Sequence, residues 1–455
     1  MVVWGPAALP DTQGYIAFAQ RILEDGRWLG DAGLDAAPMP LTAFRIIGYP
    51  VLVAAAKVLS QAHWDWILIL TQICVFTISL IAFALLVVRA GLKKGFAAFC
   101  VIATGLSLSW TLDQSLLTDS LFSSLFVIVL STLSIGSLER KPLSLVEALG
   151  LGMLLAMTFL LREGAFVLSA LLLIPLAARI VSTKVGRLKS VVCAVLFFLP
   201  LILASQAYQS WNEYRTGERF VTTGGQTAYL QGLADAARRA PRVFSGQDDL
   251  DRIARKVFSD YSFSEVMEVS RELHRAGYRA PQIAELTKEK YFHAWIEYPV
   301  PMFRMAVRHL RESYAFLAFR PLAAARETGF WSTGERPWPN YGDLKSGGIG
   351  AKVVFGLETA ERVVGIVLTL VFLVAPIIWG IHVLSGKGGT SSHKLVWLSL
   401  WLVYLGFLCA HAMVHIEPRY LMPVLPFSIL IGCVGLQPLI KPVATKLRVL
   451  GPNIR

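Results

Sequence analysis

Most of this chain is a succession of apolar runs, each about as long as a hydrocarbon core is thick, and that succession restricts the fold more than any other feature. A bilayer core of about 30 Å takes roughly 20 apolar residues of helix to cross. Lipid offers no partner to backbone amides, so each spanning segment must satisfy its own. Runs of this kind are read at 66–88, 95–112, 118–137, 143–161, 165–182, 189–207, 363–384, 395–414 and 420–440. They predict a polytopic α-helical membrane protein of about nine spans. A mean hydropathy of +0.56, with only 16% charged residues, agrees and excludes an ordinary soluble domain.

Charge orients the chain, because Lys and Arg resist translocation and collect in cytoplasmic loops. Assigning alternate connections to the cytoplasm gathers Arg89, Lys93, Lys94, Arg140, Lys141, Arg179, Lys184, Arg187 and the C-terminal bases there, against the single acid Glu139. Topology thus absorbs the net charge of +12, and nucleic acid is not an expected partner. The expected organisation is an outer loop with amphipathic interfacial helices at 1–63 and a transmembrane bundle of about six spans at 64–207. A mostly helical extracytoplasmic domain follows at 208–356, then about three spans and a cytoplasmic tail at 357–455. Within the polar domain, Leu250 to Ala276 and Ala284 to Phe319 carry apolar residues at helical spacing. All five cysteines fall in apolar runs, so no disulfide staples that domain. There is no P-loop and the inner loops are short, so no nucleotide cofactor is expected.

The ionisable residues expected at the outer level come from distant parts of the chain. Asp11 opens DTQGYIAFAQRILEDG, where it can cap a helix whose Tyr15, Phe18, Ala19, Ile22 and Leu23 form one apolar face, predicted to lie in the membrane interface. Arg45 stands in FRIIGYP, Asp113 and Asp119 in WTLDQSLLTDSLF, and Arg162 and Glu163 in FLLREGAF. His411, His415, Glu417, Arg419 and Tyr420 follow in HAMVHIEPRYLMP. Each has a plain structural reading: Asp119 as a helix cap, Arg162 as a snorkelling side chain, Tyr49 and Tyr420 as interfacial aromatics. Gathered at one level, carboxylates and guanidinium groups suit a reaction between a phosphate-bearing lipid and a hydroxyl-bearing acceptor. Carboxylates can take a proton or hold a metal, and arginine's planar fork matches phosphate oxygens. His411 and His415, at i and i+4 with Glu417 close behind, form a zinc-type ligand set, while Asp11 and Asp119 could instead share a divalent cation.

Several of these segments resemble the GT-C glycosyltransferases, polytopic enzymes that use polyprenyl-phosphate sugars. PDTQGYIAFAQRILEDGRW resembles their first outer loop, and FRIIGYPVLVAA their R-x-P-G-Y-P segment with Ile47 in place of the first proline. LLTDSLFSSLFVIVL is similar to the second outer loop, LLREGAFVL to the R-x-E-G segment and HIEPRYLMPVLP to the late R-Y-x-x-P-x-x-P. WNEYRTGERFVTTGGQTAYLQG and YFHAWIEYPVPMFRMAVRHL resemble bacterial members of the protein-mannosyltransferase-like branch.

The resemblance implies a GT-C-like bundle in a bacterial inner membrane, with the active site on the extracytoplasmic side. Asp11 and Asp119 would be catalytic, and Arg419, Arg45, Arg162 and Tyr420 would hold the donor phosphate. A divalent cation at Asp11, Asp119, His415 and Glu417 remains an alternative. The partners implied are a polyprenyl-phosphate sugar, a glycan, lipid or protein acceptor, and membrane lipid. Family members carry a span before the acidic loop, so MVVWGPAALP reads either as the tail of such a helix encoded upstream or as the start of a chain whose first 63 residues are translocated as a short tail. Two other classes stay open. A lipid-linked glycan polymerase or ligase would place its key arginines and histidines in the large outer domain. An ion-coupled transporter would place acids near the bilayer midplane, where Glu147 is the main candidate.

Overall fold

The computed structural model describes residues 6–24, 33–107, 112–183, 186–316, 391–414 and 418–436, with short pieces between 322 and 374. The span expected at 363–384 falls almost wholly outside the described residues, as do His415 and Glu417. The described chain is helical. Its extended pairing is one isolated bridge between Ala7 and Ser115.

Helices α1 (Thr12–Glu24) and α2 (Gly48–Leu59) pack on each other at one end of a bundle. The bundle continues through α3 (Trp64–Arg89), α4 (Lys94–Gly105), α5 (Thr118–Leu138), α6 (Leu145–Leu161), α7 (Ala165–Thr183) and α8 (Arg187–Thr216). The polar domain consists of α9 (Gly225–Ala237), α10 (Asp249–Val257), α11 (Phe263–Arg275), α12 (Ala280–Glu297) and α13 (Pro299–Phe316). Helices α14 (Ser391–Val414) and α15 (Leu425–Leu436) return to the bundle.

Among the described residues, five helices are long and apolar enough to cross a membrane: α3, α5, α7, α8 and α14. The chain is a helical membrane protein. Among the described residues, three of the nine expected spans, α4, α6 and α15, are apolar stretches of fewer than 18 residues. Helix α8 runs unbroken for 30 residues to Thr216, so the boundary drawn at 207/208 falls inside it. Its last two turns are polar on one side, which is why hydropathy ends before the helix does.

Helix α5 lies at the centre of the bundle. Its Ser120, Ser123, Ser124, Ser131, Ser134, Gly136 and Ser137 are all buried, and small side chains let neighbouring backbones approach closely where lipid supplies no hydrophobic drive between helices. The apolar face expected on α1 exists, but protein covers most of it: Phe18 and Ala19 are fully buried, and Tyr15 meets Tyr49 of α2 edge-on at 5.1 Å. Only its far end, at Leu23, is exposed.

At the end of the bundle away from α1, Arg89 pairs with Glu139 at 3.0 Å and Arg179 holds Glu147 through two bonds of 2.8 and 2.9 Å. Sequence reading had put Arg179 in a cytoplasmic loop. It lies instead within α7 and is fully buried, which gives Glu147 an internal partner. Gly136 makes that pair possible, since a Cβ there would stand 2.3 Å from the Arg179 guanidinium. Gly136→Ala should therefore displace the Arg179 guanidinium, the flexible end of its side chain, and weaken its hold on the partly exposed Glu147. A lowered Tm of the purified variant is the expected result, and an unchanged Tm would show that Arg179 has another place to go.

The polar domain has its own core, in which Leu230, Leu233, Val266, Val269, Leu273 and Ile283 are buried together. Its helices start where the sequence provides caps: Asp248 accepts from the Asp251 amide, and Ser262 forms a capping box with Glu265. The domain is fastened to the end of α14. The last carbonyls of a helix lack intrahelical partners, and here the Tyr291 hydroxyl donates to the carbonyl of Met413 while His309 Nδ1 lies 3.0 Å from that of Ala412.

Candidate active site

The segment before α1 is held by backbone. The Ala7 amide donates to the Gln114 carbonyl at 2.8 Å, and the Leu116 amide donates to Ala7 at 3.0 Å. Thr12 adds a hydroxyl bond to the Leu116 carbonyl, also 3.0 Å. These bonds join Asp11 to the 112–117 loop that precedes α5, and so to Asp119 in the first turn of that helix. An acid suits that turn, where the helix dipole is positive.

Two arginines arrive through one close backbone contact. Gly48 opens α2, and a Cβ at that position would lie 2.2 Å from the carbonyl oxygen of Leu160 at the end of α6. Only glycine permits this approach. Pro50 then falls in the first helical turn, where a missing amide proton costs nothing. Arg45 lies three residues before Gly48, and Arg162 two residues after Leu160. The glycine therefore fixes the register between these two cations. Arg419, in the 3-10 turn Pro418–Leu421, is the third.

The resulting cluster alternates in charge. One Asp11 oxygen accepts from Arg45 at 2.7 Å and the other from Arg419 at 3.0 Å. Asp119 accepts from Arg162 at 2.5 Å, and its second oxygen lies 3.7 Å from Arg419. Arg419 thus bridges the two acids. Tyr420 is a stacking surface, with the Arg162 guanidinium 4.0 Å above its ring and the His411 ring at 5.4 Å. Tyr49 has no part in the cluster: it is fully buried, and its hydroxyl donates to Gln72 at 2.8 Å.

Burial alone would raise the Asp11 carboxyl, but the Arg45 and Arg419 charges outweigh it and hold its pKa below the ordinary carboxylate value. Asp11 is therefore ionised at neutral pH. Its contribution to stability is present above the ordinary value and is lost only as pH falls through the lowered one. Glu163 also acts on Arg45 and Arg162 through its charge, so three guanidinium groups stand against three carboxylates, with Asp11 and Asp119 making the direct contacts. All four oxygens of Asp11 and Asp119 face arginine, so the arrangement suits an incoming anion rather than a cation. Among the described residues, no three His, Cys, Asp or Glu side chains form a metal-holding group. His411 points its Nδ1 at the Phe407 carbonyl, 3.0 Å away.

No family model, characterised protein or solved structure matches this chain. What the cluster can do therefore rests on its own geometry.

Asp113, expected beside Asp119, turns inward instead. It is buried and accepts from Ser120 at 2.5 Å, next to a cavity of about 20 Å³ that has room for a single water. Burial pushes its carboxyl up to about 8, against the lowering effect of the Ser120 bond. The sign follows directly. A folded-state pKa above the unfolded value stabilises the fold at low pH, and that stability is lost as pH rises through about 8. Asp113→Asn keeps the acceptor for Ser120 without the proton, so from pH 6 to 9 the wild-type Tm should fall by about 3 °C more than that of the variant. Parallel declines would show that Asp113 is not the group responsible.

Sequence reading missed Gln72. Its side-chain amide donates to the carbonyls of Asp113 and Ser115, at 3.0 and 2.9 Å, and fixes the loop that carries Asp119. The available signal was a polar residue within the long apolar run of α3.

Proposed function

We propose that this chain is a membrane glycosyltransferase that moves a sugar from a polyprenyl-phosphate donor to an acceptor hydroxyl on the outer face of the membrane. The observation that carries this reading is the convergence of Arg45, Arg162 and Arg419 with Asp11 and Asp119 at one end of an apolar bundle. The donor is a phosphodiester with one negative charge, and three guanidinium groups converge where it would lie. Its lipid chain belongs in the bilayer that the helices require. The basic connections at the opposite end support an outward-facing site.

In this reading the donor phosphate displaces Asp11 from Arg45 and Arg419. The freed carboxylate, no longer held low by two cations, becomes the better base. The acceptor oxygen attacks the anomeric carbon and its proton passes to Asp11. The bond from that carbon to the phosphate oxygen breaks with its electron pair remaining on phosphate, and the configuration inverts. The arginines stabilise the charge that develops on the leaving group in a poorly hydrated place. Asp119 positions Arg162 through a direct bond and Arg419 through its charge.

The test is transfer in proteoliposomes. A panel of polyprenyl-phosphate sugars is supplied with lipid, glycan and peptide acceptors, and products are read by mass spectrometry. A glycosylated acceptor is the expected result. Extension of a diphosphate-linked glycan, with no use of monophosphate-linked sugars, would instead support the polymerase or ligase reading.

A further inference from the structure

The polar domain contains a cavity of about 370 Å³ that the proposed reaction does not use. That size lies within the range of small-molecule sites, about 300–1,000 Å³. Four arginines from three separate segments line it: Arg239 just after α9, Arg242 in the 3-10 turn Pro241–Phe244, and Arg304 and Arg308 on α13. Alanine, proline, valine and methionine side chains make up its apolar lining.

The one acid in the lining is Asp235, and it is already engaged. One of its oxygens lies 2.9 Å from Arg308, the other 3.1 Å from His309 Nε2. Burial would raise this carboxyl, but the His309 bond and the Arg308 charge hold its pKa below the ordinary value. Arg239, Arg242 and Arg304 are exposed at the mouth, and Arg242 stands 5.8 Å over the Tyr298 ring. The lining therefore has three positive charges in excess, more than a single carboxylate would balance.

The geometry points to a second anion site in the polar domain, one that takes a phosphomonoester or diphosphate group through Arg239, Arg242 and Arg304. Arginine forks bind such oxygens in pairs, and several forks around one concavity bind a multiply charged group in preference to a singly charged one. The site also adjoins the seam between domain and bundle. Asp235 holds His309, whose other nitrogen meets Ala412 at the end of α14. A phosphate held here would belong to a different part of the substrate, or to a different molecule, from the one at Arg419. The group could be carried by a lipid headgroup or be free in water.

The experiment uses the full chain in detergent at low salt, with pyrophosphate as the probe and calorimetry as the readout. It is run in an Arg419→Ala background so that the cluster at the bundle end contributes little. Pyrophosphate should bind, and the further change Arg239→Gln with Arg304→Gln should weaken it at least about 10-fold. Both are exposed arginines, so the melting temperature should not move. Competition by monomeric dihexanoyl phosphatidic acid, whose headgroup is a phosphomonoester, would assign the site to a lipid headgroup, and its absence to a free phosphate. Pyrophosphate affinity that is undetectable, or unchanged by the double substitution, overturns the proposal. Neither result bears on sugar transfer, which is read separately.

Discussion

An Asp11→Asn protein is expected to fold, to bind the donor at least as tightly as the wild type, and to transfer sugar at least about 10²-fold more slowly. The rate falls because an amide cannot take the acceptor's proton. Donor affinity holds or rises for a reason visible only in three dimensions. In the structure Asp11 occupies Arg45 and Arg419, the cations proposed for phosphate, so removing its charge removes a competitor. Transfer rate and direct binding of a polyprenyl-phosphate sugar are measured side by side. Wild-type turnover in a folded Asp11→Asn protein would leave Asp11 as no more than a structural partner of two arginines.

Arg419→Ala should fail in the opposite way. Donor affinity should drop by about 10- to 100-fold, since a charge-assisted bond in a poorly hydrated site is lost. Turnover should fall as well, because the leaving phosphate loses a cation. The fold should survive, as Asp11 keeps Arg45 and Asp119 keeps Arg162. Equal donor affinities in Arg419→Ala and wild type would move the phosphate away from Arg419. The two variants together separate proton transfer from phosphate binding, which a single loss of activity cannot do.

The membrane class and most helices were legible because hydropathy is a local property. A run of apolar residues announces a span whatever its neighbours are, and α3, α5, α7, α8 and α14 lie where such runs predict them. Helix ends were less legible. The tail of α8 past residue 207 is polar enough to resemble a loop, yet its backbone bonds continue to Thr216. The same limitation applied to Arg179, whose charge suggested a loop although Glu147, 32 residues earlier, provides a buried partner within the bundle.

The cluster was partly legible. Asp11, Arg45, Asp119, Arg162, Arg419 and Tyr420 could each be picked out as polar or aromatic residues beside an apolar run, and the antiparallel helices bring all six to one end. Their pairing could not be read. Asp113 and Asp119 are six residues apart and look alike in sequence, but one faces Ser120 in the interior and the other faces two arginines. Gln72 holds the loop between them from a separate helix, through the Asp113 and Ser115 carbonyls.

The sequence by itself determined which segments enter the membrane and which charges stay at its borders, because the cost of burying a polar group in lipid acts on each residue where it stands. Only the tertiary structure decided which acid meets which base. Gly48 against Leu160, Thr12 against Leu116 and Gln72 against the Asp113 and Ser115 carbonyls are contacts between residues 41 to 112 positions apart, and a charge–charge interaction depends on distance in space rather than along the chain.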